Sequence, residues 1–174
     1  MFADARSTPL DPPLSVRAVL RRLVVRPSEA TQAPPGSPHI IAPMAELTDA
    51  PVSELLEKPN HAVLSTINKD GSVHNTVVWL NVEDGKLAVN GALGRVWPTN
   101  IARDPRVNLL VINQENPYEY AEFKGNAAAA DGGDEHIDTL AQKYINQEKY
   151  PWRAEGEVRQ KFHVSPERVR YAKA

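Results

Sequence analysis

The chain has 174 residues, 41% of them hydrophobic, which is enough for one domain with a real core and crowded for two. Its formal charge of −2 argues against a general nucleic-acid binder, which needs a basic excess, and its short apolar runs leave no membrane span. The absence of cysteine excludes a disulfide framework, a thiolate metal site and a cysteine nucleophile, and fits a reducing cytoplasm.

Residues 1–43 differ from the rest: eight of the fifteen prolines and five arginines fall here, with no lysine. Such a segment cannot bury a core and is expected to be a disordered extension. Its one periodic piece is Ser15 to Val25, where Val16, Val19, Leu20, Leu23 and Val24 recur at helical spacing with Arg17, Arg21 and Arg22 between them. Asp11 and Pro12-Pro13 interrupt the pattern of a transit peptide. Alternatively the natural chain begins at Met44 and the segment is an upstream extension.

Residues 44–174 read as a folded domain. Thr48, Asp49 and Pro51 open a helix over Pro51 to Lys58, with Leu55 and Leu56 as its apolar face. Three antiparallel strands follow as a meander: His61 to Asn68, the turn Lys69 to Ser72, Val73 to Val82, the turn Asp84-Gly85, and Lys86 to Asn90. In the first two strands both faces are largely apolar, so a barrel interior covers one side and a second subunit is the simplest cover for the other.

Gly91 to Val111 organises the chain. Two glycines, Gly91 and Gly94, loosen the backbone, Pro98 suits a first helical position, and Asp104-Pro105 ends the short helix before a strand from Arg106 to Asn113. A helix start with Arg95 one turn upstream is suited to holding a phosphate, and Trp97 adds a flat apolar face. The same residues also serve a plain structural connector, and the two readings stand side by side here.

After a turn at Gln114 to Pro117, Tyr118 to Ala129 forms a strand in which Gly125 marks a bulge or a close backbone approach. The clearest helix carries Ile137, Leu140, Ala141, Tyr144 and Ile145 on one stripe, with Asp134, Glu135 and Asp138 near its positive end. That acidic start fails the spacing of a calcium loop, and no metal site is expected. A loop with Tyr150-Pro151-Trp152-Arg153 leads to Val158 to Val164, a turn at Ser165-Pro166, and Arg168 to Ala172. The total is about seven strands and three or four short helices. The five histidines, His39, His61, His74, His136 and His163, form no metal or hydrolytic motif and read as satisfied surface or strand residues. If the chain is an enzyme, a cofactor carries the chemistry, and no catalytic residue is assigned.

Several motifs together resemble one family. They are Ala-Val-Leu-Ser-Thr-Ile-Asn-Lys-Asp-Gly-Ser at 62–72, Val-Val-Trp at 77–79, Gly-Arg-Val-Trp-Pro-Thr-Asn-Ile-Ala-Arg-Asp-Pro-Arg-Val at 94–107, Asn-Pro-Tyr-Glu-Tyr at 116–120 and His-Ile-Asp-Thr-Leu-Ala-Gln-Lys-Tyr at 136–144. From about Pro51 to Tyr171 the chain resembles the pyridoxamine 5'-phosphate oxidase-like, FMN-binding split β-barrel superfamily, and within it the branch that uses the deazaflavin coenzyme F420. The resemblance implies a mainly β fold with short helices, a six- to seven-stranded antiparallel split barrel. It also implies a homodimer with two cofactor sites at its interface.

Carried over by resemblance, phosphate-side contacts fall on Arg95, Trp97, Pro98, Thr99 and Asn100, and ring-side backbone contacts fall near Thr66 and on Thr76, Val77 and Val78. Many members have a lysine where this chain has Trp97, so either Arg95 and the backbone do more of the work or Trp97 stacks on the cofactor. Reduced deazaflavin is a two-electron hydride donor, which implies an F420-dependent oxidoreductase acting on an electron-poor small molecule, with water excluded and no strong protein base. Tyr118, Tyr120, Tyr150 and Trp152 are candidates for the substrate side, or else pack barrel ends and the dimer seam. Two other readings remain. One is an FMN-dependent oxidase or reductase on the same fold; the other is a non-catalytic flavin-, deazaflavin- or haem-binding protein.

Overall fold

The computed structural model describes residues 45–174. The expected extension at 1–43 and its helix at 15–25 lie outside the described residues. Three helices and seven strands follow in the order α1 (Ala50–Glu57), β1 (Ala62–Ile67), β2 (Val73–Val78), β3 (Leu80–Glu83), β4 (Lys86–Ala92), α2 (Val96–Arg103), β5 (Arg106–Ile112), β6 (Tyr120–Ala130), α3 (Gly133–Ile145) and β7 (Arg159–Ala172). All strand pairs are antiparallel, in one sheet of order β2-β1-β5-β6-β7-β4-β3. Curled on itself, it forms a mainly β split barrel.

The turns follow local chemistry. Asp84 (φ 51°) and Gly85 (φ 70°) both adopt the left-handed region, the two-residue turn that matches strand twist between β3 and β4. Between β1 and β2, Asp70 accepts hydrogen bonds from the Ser72 amide and hydroxyl at 3.0 and 2.6 Å.

Four expectations need correction. The meander's middle strand, Val73 to Val82, breaks at Trp79: its first half pairs with β1 and its second with β4, at opposite edges of the sheet. Val78 and Leu80 on either side are both buried, so the chain bends there to follow the curling barrel across its split. The helix at 96–103 starts two residues before Pro98, and Arg95 is its N-cap rather than a residue one turn upstream. A third-position proline costs nothing, because that amide has no intrahelical partner. The turn at Ser165-Pro166 is absent, and β7 runs unbroken over 14 residues. Pro166 lies opposite Gly125 at a bulge of β7, where Glu167 is the unpaired extra residue, and a Cβ on Gly125 would collide with the Ser165 carbonyl. Finally, His136 is not a surface or strand residue but lies on α3, 3% exposed.

The interior is one cluster. Leu64, Leu87, Val89, Leu109, Val111, Phe123 and Val164 fill it from five strands, while Val52, Leu55 and Leu56 of α1 and Trp97 and Ile101 of α2 pack into it from the helices. Helix α3 covers the outer side of β4 and β7 with Ile137, Leu140 and Ala141. Among the described residues, no helix covers the outer face of β2, β1 and β5 in this way. Its register gives an apolar row of Val77, Val63 and Leu110, a polar row of Asn75, Ser65 and Asn108, and a second apolar pair, Val73 and Ile67. Val73 and Val77 are 62% and 64% exposed. Among the described residues, no helix is long and apolar enough to cross a membrane.

Candidate functional site

A cleft of about 150 Å³ opens where β2, the start of α2, α3 and the 146–158 loop meet. One wall is β2 itself, at Thr76, Val77 and Val78. Among the described residues it is an edge strand paired with β1 alone, so its other edge presents backbone groups without a strand partner there. A second wall is aromatic. Trp79, at the bend, stacks on Tyr144 (5.0 Å, 9°) and meets Tyr150 edge-on at 6.1 Å. Trp152 stands 5.6 Å from Tyr150 and is 62% exposed. Burial pushes the Tyr144 hydroxyl up to about 12, so it stays protonated and donates to the Asn60 carbonyl at 2.7 Å.

Asp138 positions the aromatic loop. It accepts the Tyr150 amide at 2.9 Å, Lys149 Nζ at 3.0 Å and Arg153 Nη2 at 2.9 Å. Burial opposes its ionisation, but these donors outweigh burial and hold the carboxyl at about 2. The helix dipole therefore accounts for only part of that acidic helix start.

The third side is cationic. Arg159, at the start of β7, has a side chain only 4% exposed; its Nε donates to Asn90 Oδ1 and its Nη1 to Glu157 Oε1, both at 2.8 Å. Its guanidinium lies 5.1 Å from the Tyr150 ring centre. Glu157 also reaches Arg95 Nη2 at 3.8 Å. Asn90 is fixed in turn by the Gly133 carbonyl at 2.7 Å and by His136 at 3.3 Å. On its other nitrogen His136 meets Asn81 Oδ1 at 2.9 Å, which assigns the proton to Nε2.

That imidazole makes the scaffold sensitive to acid. Burial pulls it down to about 4 from an ordinary 6.5, against the favourable charge of Glu83. Glu83, despite burial, is held at about 2 by hydrogen bonds from Lys161 and Asn81 and by the charge of His136. Below pH 6.5 the unfolded chain takes up a proton that the native ring refuses until about pH 4, so stability is full above 6.5 and falls through that window. A loss of about 2 kcal/mol between pH 7 and 5 is expected from urea midpoints. His136→Gln, which keeps a donor and an acceptor, should flatten the fall; an unchanged slope would place the acid sensitivity elsewhere.

Of the residues singled out from the sequence, the cleft brings together Thr76, Val77, Val78, Arg95, Trp97, Tyr150 and Trp152. Trp97 is part of its floor and does not stack outward. The indole is 4% exposed, lies 5.1 Å from Phe162, and rests where a Cβ on Gly91 would collide with it. Thr66 and Asn100 are buried and tie α2 to β1: the Asn100 amide donates to Thr66 Oγ1 at 3.1 Å and to Asn68 Oδ1 at 2.9 Å. Pro98 is buried as well, and the Thr99 hydroxyl donates back to the Arg95 carbonyl at 3.0 Å. Tyr118 and Tyr120 are not in the cleft. Tyr120 pairs with Ala172, at the far end of β7 from Arg159, roughly 40 Å along the strand at ordinary strand rise.

Sequence reasoning missed Trp79, Asn90 and Arg159 as cleft residues. The signal for Trp79 lay in the Val-Val-Trp motif, and for Arg159 in an arginine at the entry of an otherwise alternating strand. Among the described residues, no group of three or more His, Asp or Glu is placed to hold a metal ion.

Comparison with known proteins places this geometry. An F420 reductase superposes with a TM-score of 0.60 at 25% identity, over 68% of this chain and 94% of that one. A conserved hypothetical protein from Mycobacterium tuberculosis gives 0.59 at 20% identity, over 75% and 87%. A putative pyridoxamine 5'-phosphate oxidase from Listeria innocua gives 0.53 at 18%, over 69% and 94%. No curated protein matches the sequence. The family model of pyridoxamine 5'-phosphate oxidase matches residues 48–173, which is most of the chain and all of its barrel, and the chain belongs to that family.

Proposed function

We propose that this protein is an oxidoreductase that transfers a hydride between the deazaflavin coenzyme F420 and an electron-poor organic substrate, acting as a homodimer. The observation that carries the reading is the cleft. It joins a cation at a helix start, an unpaired strand edge and an aromatic wall within one chain.

The residues fit a phosphate-bearing, flat-ringed cofactor. At the start of α2 the amides of Val96 and Trp97 have no backbone partner among the described residues, and Arg95 stands beside them. The free edge of β2 at Thr76 to Val78 offers backbone donors and acceptors to a ring's polar rim. Trp79, Tyr150 and Trp152 exclude water from one face. When bound, a reduced deazaflavin supplies the hydride; the chain's own residues orient the ring and keep the pocket dry. Similarity to an F420 reductase supports the choice of cofactor.

A cleft of about 150 Å³ falls short of the roughly 300–1,000 Å³ typical of a cofactor pocket, so one chain supplies only part of the site. The bare outer face of β1, β2 and β5 supplies the seam for a second copy. Among the described residues, Asn108 on that face has a buried Oδ1 without a hydrogen-bond partner, which a donor from a second copy would satisfy once the amide turns outward.

Titration of the purified protein with oxidised F420 and with FMN, side by side, tests the reading. Tighter binding of F420 supports it; preference for FMN moves the protein to flavin chemistry, and binding of neither removes the assignment. Arg95→Ala should weaken the preferred cofactor about 10-fold, the low end for a charge-assisted contact, because the side chain is 58% exposed. Added salt should weaken the parent more than this variant. Equal binding by both would leave the start of α2 as a connector.

A further inference from the structure

The geometry points to Arg159 as a second anion-binding residue of the cleft, kept charge-balanced in the free protein by Glu157, whose carboxylate a ligand's phosphate or diphosphate displaces. The inference rests on reading the cleft as a cofactor site and adds a residue and an exchange step that reading did not contain.

Arg159 cannot move far. Asn90 holds its Nε at 2.8 Å, the Tyr150 ring lies across its guanidinium at 5.1 Å, and its side chain is 4% exposed. Behind it, Asn90 is locked by Gly133 and His136. A charge so enclosed must keep an anion beside it, because an unpaired buried guanidinium is strongly unfavourable. Glu157 is that anion, and among the described residues its carboxylate is the group shared with Arg95.

Glu157 is the member of the trio that can leave without unpairing a strand, although its side chain is only 13% exposed. It closes an exposed turn in which its amide donates to the Ala154 carbonyl at 3.1 Å and Gly156 takes φ +74°. The next residue is anchored, since the Val158 carbonyl accepts the Leu93 amide at 2.9 Å. Rotation of one side chain therefore frees both arginines without unpairing β7.

Charge decides which ligand can compete. One carboxylate answers two guanidinium groups, so the pair is under-neutralised. A phosphate or diphosphate brings more charge and oxygens on several sides, and it can engage Arg95 and the forked donors of Arg159 together. A single neutral hydroxyl or carbonyl cannot replace Glu157. A purely structural tie between the loop and β7 would show the same bonds, yet removing its carboxylate would bring no gain in anion binding.

The test uses inorganic pyrophosphate as probe, titrated calorimetrically into the full chain. Glu157→Gln keeps the size of the side chain and one acceptor oxygen and removes its charge; it should bind pyrophosphate about 10-fold more tightly than the parent. Arg159→Gln should lose that gain in the Glu157→Gln background. Should Arg159→Gln not fold, Arg159→Lys reads the same position, because it keeps the charge and loses the fork. Unchanged or weaker pyrophosphate binding by Glu157→Gln overturns the inference, even if the parent binds F420. Conversely, a 10-fold gain in a protein that takes up neither F420 nor FMN would remove the proposed cofactor and leave the anion exchange standing.

Discussion

Trp97→Lys is expected to destabilise the fold by about 3–5 kcal/mol, the range for truncating a large buried aromatic, with a buried ammonium adding to it. The substitution places a cation at the helix start, so the family resemblance alone would forecast better phosphate binding. Packing forecasts the opposite. The indole lies in the same buried cluster as Ile101 and Phe162, and its face occupies the space a side chain on Gly91 would need. Gly91 and Trp97 thus form a matched pair, one small because the other is large. A lysine leaves the space above Gly91 empty, and its ammonium must either stay among Phe162 and its neighbours or stretch toward the cleft. Urea denaturation of parent and variant measures the loss. A variant as stable as the parent would show that the indole is not part of the core and would restore its candidacy as a stacking surface.

What could be read from the sequence follows the range of the forces involved. The β1–β2 and β3–β4 hairpins, the Asp104-Pro105 stop and the stripe on α3 are set by neighbours in the chain, and the structure places each within a residue or two of expectation. The break at Trp79 was not legible, because tryptophan is as good a strand former as the valines before it and only the pairing partners, β1 on one side and β4 on the other, differ. Pro166 misled in the opposite direction. A proline inside a strand is tolerated only where the ladder is already interrupted, and that interruption lies opposite Gly125, 41 residues earlier.

The same division runs through the cleft. Arg95 and Thr76 to Val78 came from motifs, while Tyr150 and Trp152 came from aromatic chemistry in a loop, and the fold brings them to one place. Asn100 and Thr66 were expected by resemblance among the cofactor contacts, Asn100 on the phosphate side and Thr66 near the ring, but their side chains bond to each other and turn inward. Arg159 depends on Asn90, Asn90 on His136, and His136 on Asn81. That chain of dependence spans three strands and a helix, and no local pattern announces it.

Val73→Asp combined with Val77→Asp is expected to weaken the proposed dimer at least 100-fold while leaving the protomer folded. Both side chains are more than 60% exposed in the single chain, so carboxylates there cost the protomer little. At a two-fold seam each substitution counts twice, once on each face. Losing about 1.5 kcal/mol of valine burial per copy gives about 3 kcal/mol, slightly over 100-fold in Kd, before any repulsion between four new carboxylates. Light scattering at micromolar concentration should show the parent at twice the chain mass and the double variant at the chain mass, with unchanged far-ultraviolet dichroism. Cofactor binding should fall with dimerisation, because the single-chain cleft of about 150 Å³ is too small to enclose the ring. Val73→Asp alone separates the two effects, since Val73 lies outside that cleft and can reach the cofactor only through the seam. A double variant that stays dimeric would move the interface to another face. A parent that is monomeric and still binds cofactor tightly would show that one chain closes its own site.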